Sequence, residues 1–174
     1  MTKIHVCALS MVDAQVESSG ARSLVSVIGP GMEVLRPSVI PAHQHLQILV
    51  SDIVAPLIGY VLPDEGHMRR MLDFFFTWDR QAPLLVHCFA GVSRSTASAF
   101  IAACALEPLK PEIEIAREIR EKSPTATPNA RLVALADEML DREGRMIAAV
   151  HEIGRGRDCY EGVPFALDVP AWRR

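Results

Sequence analysis

Residues 84–96 read LLVHCFAGVSRST, and the change of character along them decides the fold. Leu84, Leu85 and Val86 form a short apolar run of the kind that makes a strand buried on both faces. His87 to Ser95 are mostly small or polar, and after them Ala97, Phe100, Ile101 and Cys104 recur at the spacing of one helical face. The order is strand, tight loop, helix, which is the repeating unit of an α/β sheet with its loops at the carboxyl edge.

Within this unit Cys88 leaves the strand, five residues follow (Phe89, Ala90, Gly91, Val92, Ser93), and Arg94 opens the helix. A loop that short, wrapped into a ring, aims its backbone N–H groups and the positive end of the next helix at one point, a nest for a tetrahedral dianion. Gly91 supplies the backbone freedom for the turn. An arginine at the end of the ring grips two phosphate oxygens with one planar guanidinium, which lysine cannot do. In that setting dipoles and guanidinium favour a thiolate at Cys88, and a thiolate is the nucleophilic form of cysteine.

Outward from the loop the pattern alternates. Ile4–Leu9, Leu24–Ile28 and His45–Val50 read as strands, with a short helix over Asp13–Ser18. Pro63-Asp64-Glu65 starts a helix whose Met68, Met71, Leu72 and Phe75 share one face, so that stripe is core. Two more helices are predicted over Pro111–Glu121 and Pro128–Leu140, the second capped by Thr127 with Pro128 in its first position. The expectation is a single α/β domain over residues 1–153, with a central, mostly parallel sheet of four to five strands and helices on both faces. Residues 154–174 lose periodicity and read as a C-terminal tail, packed on the domain or partly disordered.

Bulk properties narrow the function. The chain has 174 residues, 49% hydrophobic, and 18 basic against 21 acidic side chains, so no basic field gathers nucleic acid or anionic lipid. Cys7, Cys88, Cys104 and Cys159 are scattered, with no CxxC pair, which reads as reduced thiols in a cytoplasmic protein without a bound metal. No stretch has the roughly 20 apolar residues of a membrane span, nor does the start resemble a secretory leader.

HCFAGVSRST (87–96) resembles the HCxxGxxR(S/T) signature of the protein tyrosine and dual-specificity phosphatase superfamily, and its GxSRS form resembles the compact dual-specificity branch. KSPTATPNARLVALADEML (122–140) is similar to the segment that follows the site in that branch, so the resemblance spans about His45 to Leu140. It implies a two-step reaction without metal or cofactor. Cys88 would form a thiophosphate intermediate that water hydrolyses, Ser95 would ease departure of the thiolate, and His87 would support the loop. A strand-end packing role is the plainer reading of His87, as a buried apolar thiol is of Cys88.

The resemblance also implies an aspartic acid on a loop some 30 residues before the cysteine, to protonate the leaving group. Asp52, in SDIVAP (51–56), lies 36 residues before Cys88 and directly follows a strand, at the carboxyl edge. Asp64 lies 24 residues before it but sits where a helix cap is needed; Asp52 in turn is also a common turn residue.

The loop interior holds no Lys, Arg or His, unlike the basic loops of phosphatases for multiply phosphorylated inositides, so the expected partner is a phosphorylated protein or a small phosphomonoester. Two rivals stand beside this reading. A rhodanese-like sulfurtransferase also sets a cysteine in an anion-binding loop, though usually a shorter one. A phosphate-binding pseudophosphatase would need no nucleophile.

Overall fold

The structure, a computed structural model, describes residues 1–171. Five strands form one sheet: β1 (Thr2–Ala8), β2 (Ser23–Ile28), β3 (His45–Leu49), β4 (Leu84–Cys88) and β5 (Phe165–Val169), in the order β3-β2-β4-β1-β5. The first four are parallel and β5 runs antiparallel to β1 at the edge. Every residue of β2 is buried, as expected of a parallel strand covered on both faces.

The helices are α1 (Val12–Ser19), α2 (Glu65–Thr77), α3 (Arg94–Leu106), α4 (Glu112–Lys122), α5 (Ala130–Met139) and α6 (Arg145–Ile153). They are unequally shared between the faces. α1 packs alone over Cys7, Leu24 and Leu85, whereas the other face carries α2 to α6 over Ile4, Val6, Val27 and Val86. α3 lies at the centre of that second layer and is buried from Arg94 to Ala105, which is why its sequence is alanine-rich with no charge after the arginine. Buried Arg142 ties the outer helices to it, donating to the Cys104 carbonyl at 2.7 Å and to Glu112 at 3.3 Å. None of the described helices is long and apolar enough to cross a membrane.

Two expectations change. α5 begins at Ala130, not Pro128, and its cap is Asn129, whose side-chain oxygen accepts from the N–H groups of Arg131 (3.1 Å) and Leu132 (3.0 Å). The Thr127 hydroxyl is instead taken by the N–H of Gly156 at 3.0 Å. The stretch expected as a tail from residue 154 supplies β5, whose Phe165, Leu167 and Val169 point inward in strict alternation. Residues 172–174 of that stretch lie outside the described residues.

Candidate active site

The parallel register brings the carboxyl ends of β1, β2 and β4 to one edge, with Ala8 beside Cys88 and Ser26 beside His87. Cys88 is the last residue of β4, 2% exposed, and its Sγ lies 3.1 Å from the Ser95 hydroxyl. Between them the loop turns through Gly91 at φ +70. A Cβ there would lie 2.7 Å from the backbone of Cys7 and Ala8, so both the dihedral and the close approach to β1 demand glycine.

Four loop carbonyls face outward and are satisfied. Phe89 O accepts from Leu9 N–H (3.1 Å), Ala90 O from Gly162 (2.8 Å), Val92 O from Thr127 (2.9 Å) and Ser93 O from Asn129 (3.3 Å). Among the described residues, none accepts from the N–H groups of Phe89, Ala90, Gly91, Val92 or Ser93. Arg94, 7% exposed, returns beside the loop; its Nη1 donates to the Val50 carbonyl at 2.8 Å, while its buried Nε has no partner among the described residues. Unpaired buried donors of this kind are rare and suit an anion.

Asp52 reaches the same loop. Its Oδ1 accepts from the Ser93 hydroxyl (2.7 Å) and from the Asn129 amide (2.8 Å), which also donates to Ile53 O (3.3 Å). Both donors use one oxygen, and Oδ2 has no hydrogen-bond partner among the described residues. The loop around Asp52 is closed at its base, where Ser51 N–H donates to Val61 O at 2.8 Å. Asp64 is not drawn into the site; it caps α2 by accepting from His67 N–H at 3.0 Å.

His87 is fully buried behind the loop. Its Nδ1 lies 3.2 Å from the Cys88 carbonyl and its Nε2 2.7 Å from Ser26 Oγ, which in turn lies 2.8 Å from His45 Nε2. A carbonyl only accepts, so Nδ1 carries the proton, Ser26 donates to Nε2, and His45 donates to Ser26. Burial, the main cause, pushes the His87 pKa down to about 4 and keeps the ring neutral. Cys7, paired with His87 across the sheet, is held as a thiol: burial first and neighbouring Cys88 second push it up to about 12.

No family model matches the chain, and no curated protein matches it in sequence. Solved structures do. The chain is similar to human DUSP28 (TM-score 0.61, 17% identity, 80% of this chain and 89% of that one) and to DUSP15 (0.59, 19%, 86% and 89%). It is also similar to PTPMT1 in complex with PI(5)P (0.59, 14%, 80% and 94%). The fold is that of the dual-specificity phosphatases.

On this phosphatase fold, several residues around the loop escape sequence reasoning. Ser26 and His45 look like ordinary strand residues until register places them behind His87. Asn129 carried a signal in its Pro-Asn pair, but its second partner, Asp52, lies 77 residues away. Gly162 braces the loop from outside: a Cβ there would lie 2.8 Å from Gly91 O, and Glu161 beside it accepts from the Ser10 hydroxyl at 2.9 Å. Only its glycines mark that stretch in sequence.

Proposed function

We propose that the chain is a cysteine-dependent phosphomonoester hydrolase of the protein tyrosine or dual-specificity type. The observation that carries this reading is that the five loop N–H groups from Phe89 to Ser93 and the buried Nε of Arg94 have no acceptor among the described residues, in a loop that begins at Cys88. Such donors match the equatorial oxygens of a phosphoryl group and stabilise the charge that builds on them in the transition state.

In the first step the Cys88 thiolate attacks phosphorus. The P–O bond to the leaving group breaks, and Asp52 Oδ2 delivers a proton to the departing oxygen. In the second, water attacks the thiophosphate, Asp52 takes the proton, and Cys88 leaves as a thiolate that accepts the Ser95 hydroxyl hydrogen across 3.1 Å. His87 holds the Cys88 carbonyl, and Phe89 to Ser93 with Arg94 bind phosphate. No step calls for a metal or cofactor.

The loop interior, free of Lys, Arg and His, supports a phosphoprotein substrate over a multiply phosphorylated inositide. Four unpaired cysteines suit a reducing cytoplasm. The test is para-nitrophenyl phosphate turnover by wild type and Cys88→Ser without added metal, beside thiosulfate:cyanide sulfur transfer. Turnover should vanish in Cys88→Ser; equal rates, or sulfur transfer alone, overturn the proposal.

A further inference from the structure

A cleft of about 740 Å³ adjoins the phosphate loop, lined by residues 52–57, by Val92 and Ser93, by 127–130 and by 155–159. Its two sides are tied together through the middle segment. Asn129 bonds Asp52 and Ile53, and the Thr127 hydroxyl bonds the N–H of Gly156. Reactive centre and cleft therefore share Asp52 and Ser93.

The 154–162 strap is built rather than draped. A Cβ on Gly156 would lie 2.5 Å from the Thr125 carbonyl, Arg157 N–H donates to Pro124 O at 2.9 Å, and Gly162 N–H donates to the loop itself. Its backbone is fixed at both ends, so the side chains it presents are held in place at low entropic cost. Two of them are arginines. Arg155 is compensated by an ion pair with Asp158, whereas the exposed Arg157 guanidinium has no partner among the described residues. Across from it the acid-bearing loop leaves Val54 59% and Leu57 54% exposed. A net charge of −3 gives the chain no general affinity for anions, so an uncompensated cation here is a local device.

We propose that this cleft binds the polypeptide flanking the phosphorylated residue, selecting an acidic side chain through Arg157 and an apolar neighbour through Val54 and Leu57. The proposal rests on the phosphatase reading and names its substrate class: acidic phosphopeptides. An inositide headgroup would need its cations converging on the nest, and here the arginines stand on a strap outside it.

The test uses the full chain and three phosphotyrosyl peptides that differ only in Glu, Gln or Lys beside the phosphorylated residue. Wild type should favour the Glu peptide over the Gln peptide by about fivefold in kcat/KM, the range of a partly exposed ion pair. Arg157→Glu should abolish that ratio and favour the Lys peptide, and Val54→Asp should raise KM for all three. The ratio is measured again as binding to Cys88→Ser protein. Binding discrimination without para-nitrophenyl phosphate turnover in wild type overturns the phosphatase reading and keeps the cleft. Equal affinity for the three peptides, or a ratio that survives Arg157→Glu, overturns the cleft. Soluble PI(5)P preferred to every peptide and sensitive to Arg157→Glu overturns it in favour of an inositide.

Discussion

Asn129→Asp separates two jobs that one side chain performs. The Asn129 oxygen caps α5, and its amide nitrogen donates to Asp52 Oδ1 at 2.8 Å. Aspartate caps as well as asparagine, so the first job survives. The second is inverted, because a donor becomes an acceptor facing a carboxylate. Two such charges about 4 Å apart repel by ~4 kcal/mol at an effective dielectric of 20 and ~1 kcal/mol in bulk water. Asp52 is exposed but position 129 is buried, so the repulsion lies between these figures, nearer the lower one. At about 1.4 kcal/mol per pH unit, the carboxylate pair keeps a shared proton to a pH higher by roughly one unit. The proton donor to the leaving group then survives to higher pH, and the basic limb of the kcat/KM profile for phenyl phosphate, whose leaving group needs protonation, should move up by about one unit. Asn129→Ala is the contrast: it loses the cap, about 1 kcal/mol, and should lower Tm by roughly 2–4 °C without raising the limb. An Asn129→Asp protein of near-native Tm whose basic limb stays in place would refute the assignment of Asp52 as the acid.

Three further outcomes follow from the same contacts. Ser26→Ala strands the buried Nε2 of His87 without a donor; the cost, about 1–3 kcal/mol, should appear as a Tm lower by roughly 2–10 °C with slower alkylation of Cys88 by iodoacetamide, and unchanged values of both would discard the relay. His87 binds its proton near 4 in the folded chain and near 6.5 unfolded, so its contribution is complete above pH 6.5 and is lost as pH falls toward 4, by roughly 3 kcal/mol in all. Urea unfolding of wild type between pH 7 and 4.5 should show that slope and His87→Asn should lack it; equal slopes would contradict the buried neutral ring. Gly162→Ala drives a methyl toward Gly91 O, 2.8 Å away, and should cost about 1–3 kcal/mol while slowing para-nitrophenyl phosphate turnover; a destabilised protein with full turnover would uncouple the strap from the loop.

What the sequence disclosed was what short-range chemistry controls. The LLVHCFAGVSRST stretch names strand, loop and helix by itself, since the apolar period changes within it and the loop's residues are neighbours in the chain. The position of Asp52 against the loop was legible from its place after a strand, and the cap at Asp64 from the demand of a helix start. What stayed hidden depends on contacts between distant residues. β5 adds to the sheet only because Phe165, Leu167 and Val169 find the far side of β1, and five residues of alternation after a glycine-rich stretch resemble a tail. α6 hides for a related reason: its buried positions, Met146 and Ala149, are few and its outer face carries Ile147. The Thr127 cap failed because its hydroxyl had a better use, bonding Gly156 of the strap, 29 residues later.

The outward carbonyls explain why the loop needs so much of the chain. Left alone, a ring of seven residues would turn its N–H groups toward its own carbonyls or toward water. Here the four carbonyls are claimed by three separate segments: Leu9 after β1, Thr127 and Asn129 before α5, and Gly162 on the strap. With the acceptors engaged outside, the loop N–H groups are left without partners among the described residues, so in the proposed reaction little reorganisation would remain to be done in the transition state. The same bonds hold β1, the start of α5 and the strap together. If the loop binds phosphate as proposed, stability and anion affinity draw on one network, and a substitution in the strap, remote from Cys88 in sequence, should act on both.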